Sequence, residues 1–165
     1  MKKLSLFLVA LFAFVATPLA AQSKGVATSA DPRATAAGAE ILAKGGSAAD
    51  AAMAMMLALT VVEPQSSGIG GGGFLVHYDA KGATISTING RETAPAAATP
   101  QRFTDAEGKP LPFLQAFPGG KSVGVPGNIS LMAEAHRKWG KLKWAEIFKP
   151  AIRLADKGFV VNQTL

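Results

Sequence analysis

From Asp31 to Leu42 apolar and small residues recur at three- and four-residue spacing, so that Ala34, Ala37, Gly38, Ile41 and Leu42 share one side of a helix. Asp31-Pro32 predicts its start: aspartate can cap, and proline at the first helical position misses no hydrogen bond. Gly45-Gly46 predicts its stop. Ser47 and Asp50 predict a compact start for a second helix, with the hydroxyl capping the first turn and the carboxylate where the helix dipole favours negative charge. From Ala51 to Val62 every position is apolar or small and none is charged, so this helix is expected to be buried on all sides until Glu63-Pro64 ends it.

The period then changes. Residues 65–73 form a loop that becomes almost pure glycine, and Phe74 to Asp79 alternates as a strand does, with Phe74, Val76 and Tyr78 on one face and His77 on the other. Ala80-Lys81-Gly82 predicts a turn and Ala83 to Asn89 a returning strand, giving a hairpin. Ala94 to Gly124, rich in Pro, Gly and short polar pieces, predicts an irregular excursion. Val125-Pro126-Gly127 opens a helix to Trp139, closed by Gly140, and a last helix runs from Trp144 to Lys157, bent at Pro150 and capped by Gly158. Lys24 to Ser29 reads as a short strand or extended lead-in, and the chain has no internal repeat. The fold class is layered α/β with an unfinished sheet, because two strands and a helix buried on all sides do not satisfy each other.

Composition narrows the setting. With 165 residues, 48% of them apolar, the chain is long enough for one domain with a core. The absence of cysteine excludes disulfides, thiolate zinc sites and a cysteine nucleophile. Lys2 and Lys3, the apolar run Leu4 to Val15 interrupted only by Ser5, and the small residues Ala16 to Ala21 have the three-part plan of a secretory signal peptide. The run is shorter than the roughly 20 residues of a bilayer span and breaks at Pro18. Cleavage is expected near Ala21, with Ala20 the alternative, which assigns 1–21 to the signal and implies a periplasmic or secreted product with no membrane attachment after cleavage. Two of the 17 basic residues and none of the 11 acidic ones lie in that leader, leaving 15 against 11, a net charge of +4. The densest basic cluster is His136, Arg137, Lys138, Lys141 and Lys143, interleaved with Trp139 and Trp144. Such a cluster could meet nucleic acid, but in an exported chain it is expected to be the wet face and tip of a helical hairpin with both tryptophans turned inward.

Candidate chemistry is sparse. Gly68-Ile69-Gly70-Gly71-Gly72-Gly73 satisfies the spacing of dinucleotide-binding glycines, yet a helix precedes it and a strand follows, the reverse of what a pyrophosphate needs. Close backbone packing, against neighbouring chain or a small substrate, is the remaining use. Arg91, at the head of Arg91-Glu92-Thr93-Ala94-Pro95 and directly after a strand, can offer a carboxylate two parallel hydrogen bonds; the alternative is a surface pair with Glu92. His77 and His136 have no second ligand at metal spacing and form no Ser-His-Asp set, and both read as surface or half-buried residues. Asn128-Ile129-Ser130 and Asn162-Gln163-Thr164 match the glycosylation pattern, which is too short to carry weight.

Five stretches together resemble one family, the γ-glutamyltransferases (glutathione hydrolases). They are GVATSADPRATAAGAEILAKGG, GGSAADAAMAMMLALTVVEPQSSGIGGGGFLVHYD, NGRETAP, VGVPGN and AHRKWGKLKWAEIFKPAIRLADKGFVV, in that order across residues 24–165. Ser47 and Pro32-Arg33 depart from the usual Asn and His-Pro. The resemblance implies the N-terminal part of the large subunit, 22–165, of an αββα N-terminal-nucleophile hydrolase sandwich that is incomplete in this chain. It implies a self-cleaving precursor whose small subunit is a required partner and begins with the threonine nucleophile. That threonine would take the γ-glutamyl group of glutathione and pass it to water or an amine, its own α-amine serving as base, with no metal or organic cofactor. Arg91 matches the arginine that holds the substrate α-carboxylate. The threonine signature, Thr followed by Thr or Ser and then His, is absent here: Val76 precedes His77 and Ala135 precedes His136. The fragment alone is therefore expected to be inactive, with no catalytic residue of its own. Relatives acting on cephalosporin side chains or poly-γ-glutamate give an alternative substrate class, and a non-catalytic binding fragment is the alternative from outside enzymes.

Overall fold

The computed structural model describes residues 25–163 and 165. The expected signal peptide and its cleavage point lie outside the described residues, as do Lys24 and Thr164. Residues 25–29 form no strand, so of the two readings of the lead-in the strand is wrong: among the described residues no strand lies beside it to bond with.

Helix α1 spans Pro32–Ala43 with Asp31 as its cap, whose Oδ1 accepts from the Arg33 backbone N–H at 2.8 Å. Arg33 turns its guanidinium onto the same carboxylate, Nη2 to Oδ2 at 2.5 Å, while Nη1 donates to the Val160 carbonyl and the group lies 4.5 Å over the Phe159 ring. The hydrogen bond from Arg33 is the main reason that the Asp31 carboxyl, itself buried, is held down at about 2. One arginine thus fastens the last residues of the chain to the first helix.

Helix α2, Ala48–Val62, starts in the reciprocal box that Ser47 and Asp50 predict: the Asp50 N–H donates to Ser47 Oγ at 3.0 Å and the Ser47 N–H to Asp50 Oδ2 at 2.9 Å. That oxygen also accepts from the N–H groups of Lys141 and Leu142, at 2.9 and 3.2 Å. No residue from Ala49 to Val62 is exposed, as the uncharged run implies. Its small residues let α1 and the last helix lie close on it.

Strands β1, Gly73–Asp79, and β2, Thr84–Gly90, form an antiparallel hairpin in which Leu75 faces Ile88 and Tyr78 faces Ile85. Leu75 and Ile88 turn inward against the main core of Met53, Leu57, Leu131, Met132 and Ile147. The other face presents Phe74, Val76, Tyr78 and Ile85, all well exposed. Between residues 94 and 124 the only helical pieces are two single 3-10 turns, Pro100–Phe103 and Gly120–Ser122, and the one-turn helix α3, Phe113–Ala116.

Helix α4, Asn128–Trp139, lies over both strands, and α5, Trp144–Lys157, packs along α2. α5 runs through Pro150 as one element and ends at Gly158, whose φ of +72° is a conformation glycine adopts without strain. The tryptophans turn inward: Trp139 stacks on His77 at 4.2 Å, and Trp144 meets His136 and Phe148 edge-on. The basic residues around them stay outside, Arg137 and Lys138 paired with Glu134. Among the described residues the result is layered α/β: one two-stranded sheet, helices on one of its faces, and the opposite face exposed.

Candidate functional site

The glycine-rich loop is held by the start of α4. The Gly71 carbonyl accepts from the N–H groups of Gly127 and Asn128, at 3.0 and 3.1 Å, and Asn128 Nδ2 donates to the Gly68 carbonyl at 2.7 Å. A Cβ on Gly72 would come within 2.6 Å of the Gly90 carbonyl oxygen, and one on Gly127 within 2.1 Å of the same atom. Close approach is what these glycines permit. The loop follows a helix and leads into a strand, so the glycines do not themselves open a helix toward a phosphate, and the first N–H groups of α4 are taken by the Gly71 carbonyl.

Arg91 stands one residue past β2, where the chain leaves the sheet, and its backbone N–H donates to Asn89 Oδ1 at 2.9 Å. Its side chain is 70% exposed, and Nε lies 3.1 Å from Glu92 Oε2. The surface pair with Glu92 is formed, and most of the Arg91 side chain nonetheless stays exposed. Glu92 turns back under the glycine loop, where its Oε2 is buried and accepts no well-aligned hydrogen bond.

Two residues on, Thr93 and Val125 bond reciprocally, N–H to carbonyl at 3.3 and 2.8 Å, and close the 94–124 excursion into a loop. Beneath it lies a groove of about 470 Å³ lined by Arg91, Glu92, Thr93, Arg102, Phe103 and Lys121, among others. Arg91 also borders a second cleft against α4, and Glu92 a third beside the glycines. The pair sits on the ridge where the three meet.

Arg91 stands out in the sequence, and the residues around it do not. Asn128 is named only within a glycosylation pattern, yet it is 8% exposed with its amide committed to Gly68, which leaves no room for a glycan. Its position immediately after Pro126-Gly127, opening a helix, is the available signal for a capping and fastening role. Glu92 carries no signal beyond its place beside Arg91. His77 and His136 are half-buried, His77 in its ring stack and His136 Nε2 at 2.8 Å from the Leu142 carbonyl, and neither approaches the groove.

The sequence profile of the Gamma-glutamyltranspeptidase family matches residues 34–165, four-fifths of the chain. The chain belongs to the γ-glutamyltranspeptidase family. It is 46% identical over 141 residues to a glutathione hydrolase proenzyme of Bacillus subtilis, covering 86% of this chain and 24% of that one. The γ-glutamyltranspeptidase of Pseudomonas nitroreducens complexed with L-DON superposes with a TM-score of 0.80 at 39% identity, over 86% of this chain and 42% of that chain. A cephalosporin acylase from Bacillus halodurans superposes at 0.69 and 38% identity, over 79% and 24%. The layered α/β arrangement is thus part of the N-terminal-nucleophile hydrolase fold of these family members, and the chain spans about a quarter of the length of the curated relatives it matches.

Proposed function

We propose that residues 22–165 are the N-terminal part of the large subunit of an exported γ-glutamyl-transferring enzyme, and that Arg91 holds the α-carboxylate of its γ-glutamyl substrate. The observation that carries the reading is Arg91 itself: an open guanidinium at the mouth of a groove, in a chain of this family. A planar fork facing a carboxylate forms two parallel charge-assisted hydrogen bonds, fixing orientation as well as charge. Glu92 pairs with Nε, and the Arg91 side chain remains 70% exposed. The acyl transfer itself belongs to an N-terminal threonine on the small subunit, in a segment outside these residues. Its attack on the γ-amide and the passage of the acyl group to water or an amine need no group of this chain beyond substrate binding. The leader 1–21 supports export to the periplasm or beyond, and no helix among the described residues is long and apolar enough to cross a membrane.

A second reading, an acylase of other amides, draws on the similarity to the cephalosporin acylase. The same variant separates the two. In the full-length precursor Arg91→Lys keeps the charge and loses the fork; at about 1.5–3 kcal/mol for a hydrogen bond to a charged group, kcat/KM for γ-glutamyl-p-nitroanilide should fall roughly ten- to a hundredfold. Arg91→Ala should fall further, and self-cleavage should survive both, since that step involves no substrate carboxylate. A substrate with its α-carboxylate amidated should be poor for the wild type and lose little more in the variant. If Arg91→Lys stays within about twofold of wild type, or both substrates suffer equally, Arg91 is a surface ion pair and the γ-glutamyl reading of the groove is wrong.

A further inference from the structure

The groove beneath the 94–124 loop carries more positive charge than Arg91 accounts for. Arg91, Arg102 and Lys121 line it against a single acid, Glu92, which is already paired to Arg91. Among the described residues neither Arg102 nor Lys121 has a carboxylate within ion-pair distance, whereas Arg33, Arg137, Lys149 and Arg153 each have one. Nor is their proximity an accident of a loose surface. Arg102 Nε donates to the Lys121 carbonyl at 2.7 Å and Nη2 to the Gly120 carbonyl at 3.4 Å, joining positions 19 residues apart. Ser122 Oγ lies 2.5 and 3.0 Å from the carbonyls of Phe117 and Gly119, tightening the same turn. With Thr93 and Val125 bonded at its stem, the loop brings Arg102 and Lys121 together in the lining of one groove. Bringing like charges together in a cleft raises the local potential and attracts an anion.

We propose that Arg102 and Lys121 form a second carboxylate subsite, which takes the C-terminal carboxylate of a γ-glutamyl peptide whose α-carboxylate is held by Arg91. The proposal rests on the γ-glutamyl reading of Arg91 and assigns to Arg102 and Lys121 a preference for leaving groups that end in a free carboxylate. The groove, at about 470 Å³, falls within the roughly 300–1,000 Å³ typical of small-ligand clefts. Lys121 is the cleaner probe, because its side chain makes no hydrogen bond within the described protein, while Arg102 also ties two turns together.

The test uses the full-length precursor and three substrates: a γ-glutamyl dipeptide conjugate with a free C-terminal carboxylate, the same compound amidated at that end, and γ-glutamyl-p-nitroanilide. The readout is the ratio of kcat/KM for the free carboxylate to that for its amide. In wild type the ratio should exceed one, and Lys121→Gln should lower it roughly three- to tenfold, with Lys121→Arg restoring it. Arg102→Gln should lower it similarly, whereas Arg91→Lys should depress all three substrates and leave the ratio near its wild-type value. Raising the salt concentration should shrink the ratio in wild type and not in Lys121→Gln. If the ratio is one in wild type, or unchanged in both Lys121→Gln and Arg102→Gln, the subsite does not exist, while turnover of the anilide and its loss in Arg91→Lys would still uphold the γ-glutamyl reading. If wild type turns over none of the three, that reading falls and the subsite falls with it.

Discussion

Asp31 shows how much one side chain can tie together. It caps α1, pairs with Arg33 and receives Asn162 Nδ2 at 3.3 Å, and its carboxyl is held at about 2 rather than the ordinary 3.8. A depressed carboxyl contributes stability that is present above its unfolded value, near 4, and is lost as pH falls toward 2. Thermal melts of the full-length protein should therefore show a drop in Tm across that window, and Asp31→Asn should flatten it while keeping the cap. Asp31→Ala loses the cap as well, about 0.5–2 kcal/mol; an unchanged slope between pH 4 and pH 2 in Asp31→Asn would mean that other carboxylates carry the acid sensitivity. At the same scale Gly127→Ala and Gly70→Ala make a contrast. The first places a methyl 2.1 Å from the Gly90 carbonyl oxygen and must push α4 off the end of β2, whereas the second meets nothing within 4 Å. Gly127→Ala should cost about 1–3 kcal/mol or more, by denaturant midpoint, and Gly70→Ala a small fraction of that.

Among the elements, α2 is fastened at its start in two ways of unequal strength. Ser47→Ala removes one cap, worth about 1 kcal/mol. Asp50→Ala removes the acceptor of three backbone N–H groups in a site with no exposure. Hydrogen bonds to a charged group are worth about 1.5–3 kcal/mol each, so Asp50→Ala should cost several times more than Ser47→Ala. Urea titration of the two variants measures this directly, and equal losses would reduce Asp50 to a local cap. The local half of that role is legible in the sequence, since Ser-x-x-Asp is a short-range pattern. The bonds to Lys141 and Leu142 are not, because they join residues 91 and 92 positions apart.

Across the whole molecule, the hairpin presents one covered face and one open face. Leu75 and Ile88 meet the helices, while Phe74, Val76, Tyr78 and Ile85 stand 60–70% exposed. A contiguous apolar sheet face of this kind seeks cover. Residues 22–165 produced alone should therefore self-associate in light scattering, and Val76→Lys with Ile85→Lys should reduce it without altering the helical circular dichroism signal. Monodisperse behaviour of the unmodified segment would show that this face tolerates water. The same preparation, free of host enzyme, should show no turnover of γ-glutamyl-p-nitroanilide above a heat-killed control, because the chain has no threonine nucleophile signature.

The four long helices and the hairpin were legible in the sequence because the signals that set them are local, whereas the short turns within 94–124 were not. Asp31-Pro32, the Ser47–Asp50 box, Gly45 and Gly158 act on their own turns, and the hydrophobic period changes from helix to strand where the structure does. Arg91 was legible as a candidate because its family motif is contiguous. Which face of the hairpin turns inward was not, since β1 alternates apolar residues on both faces and only packing against α2 and α4 selects Leu75 over Val76. The partners of Asp50, the hold of Asn128 on the glycine loop and the meeting of Arg102 with Lys121 are contacts between distant stretches of chain. Hydrophobic period and capping patterns carry no information about which distant groups meet, so those contacts were decided only when helices and strands packed and their polar groups had to find acceptors away from water.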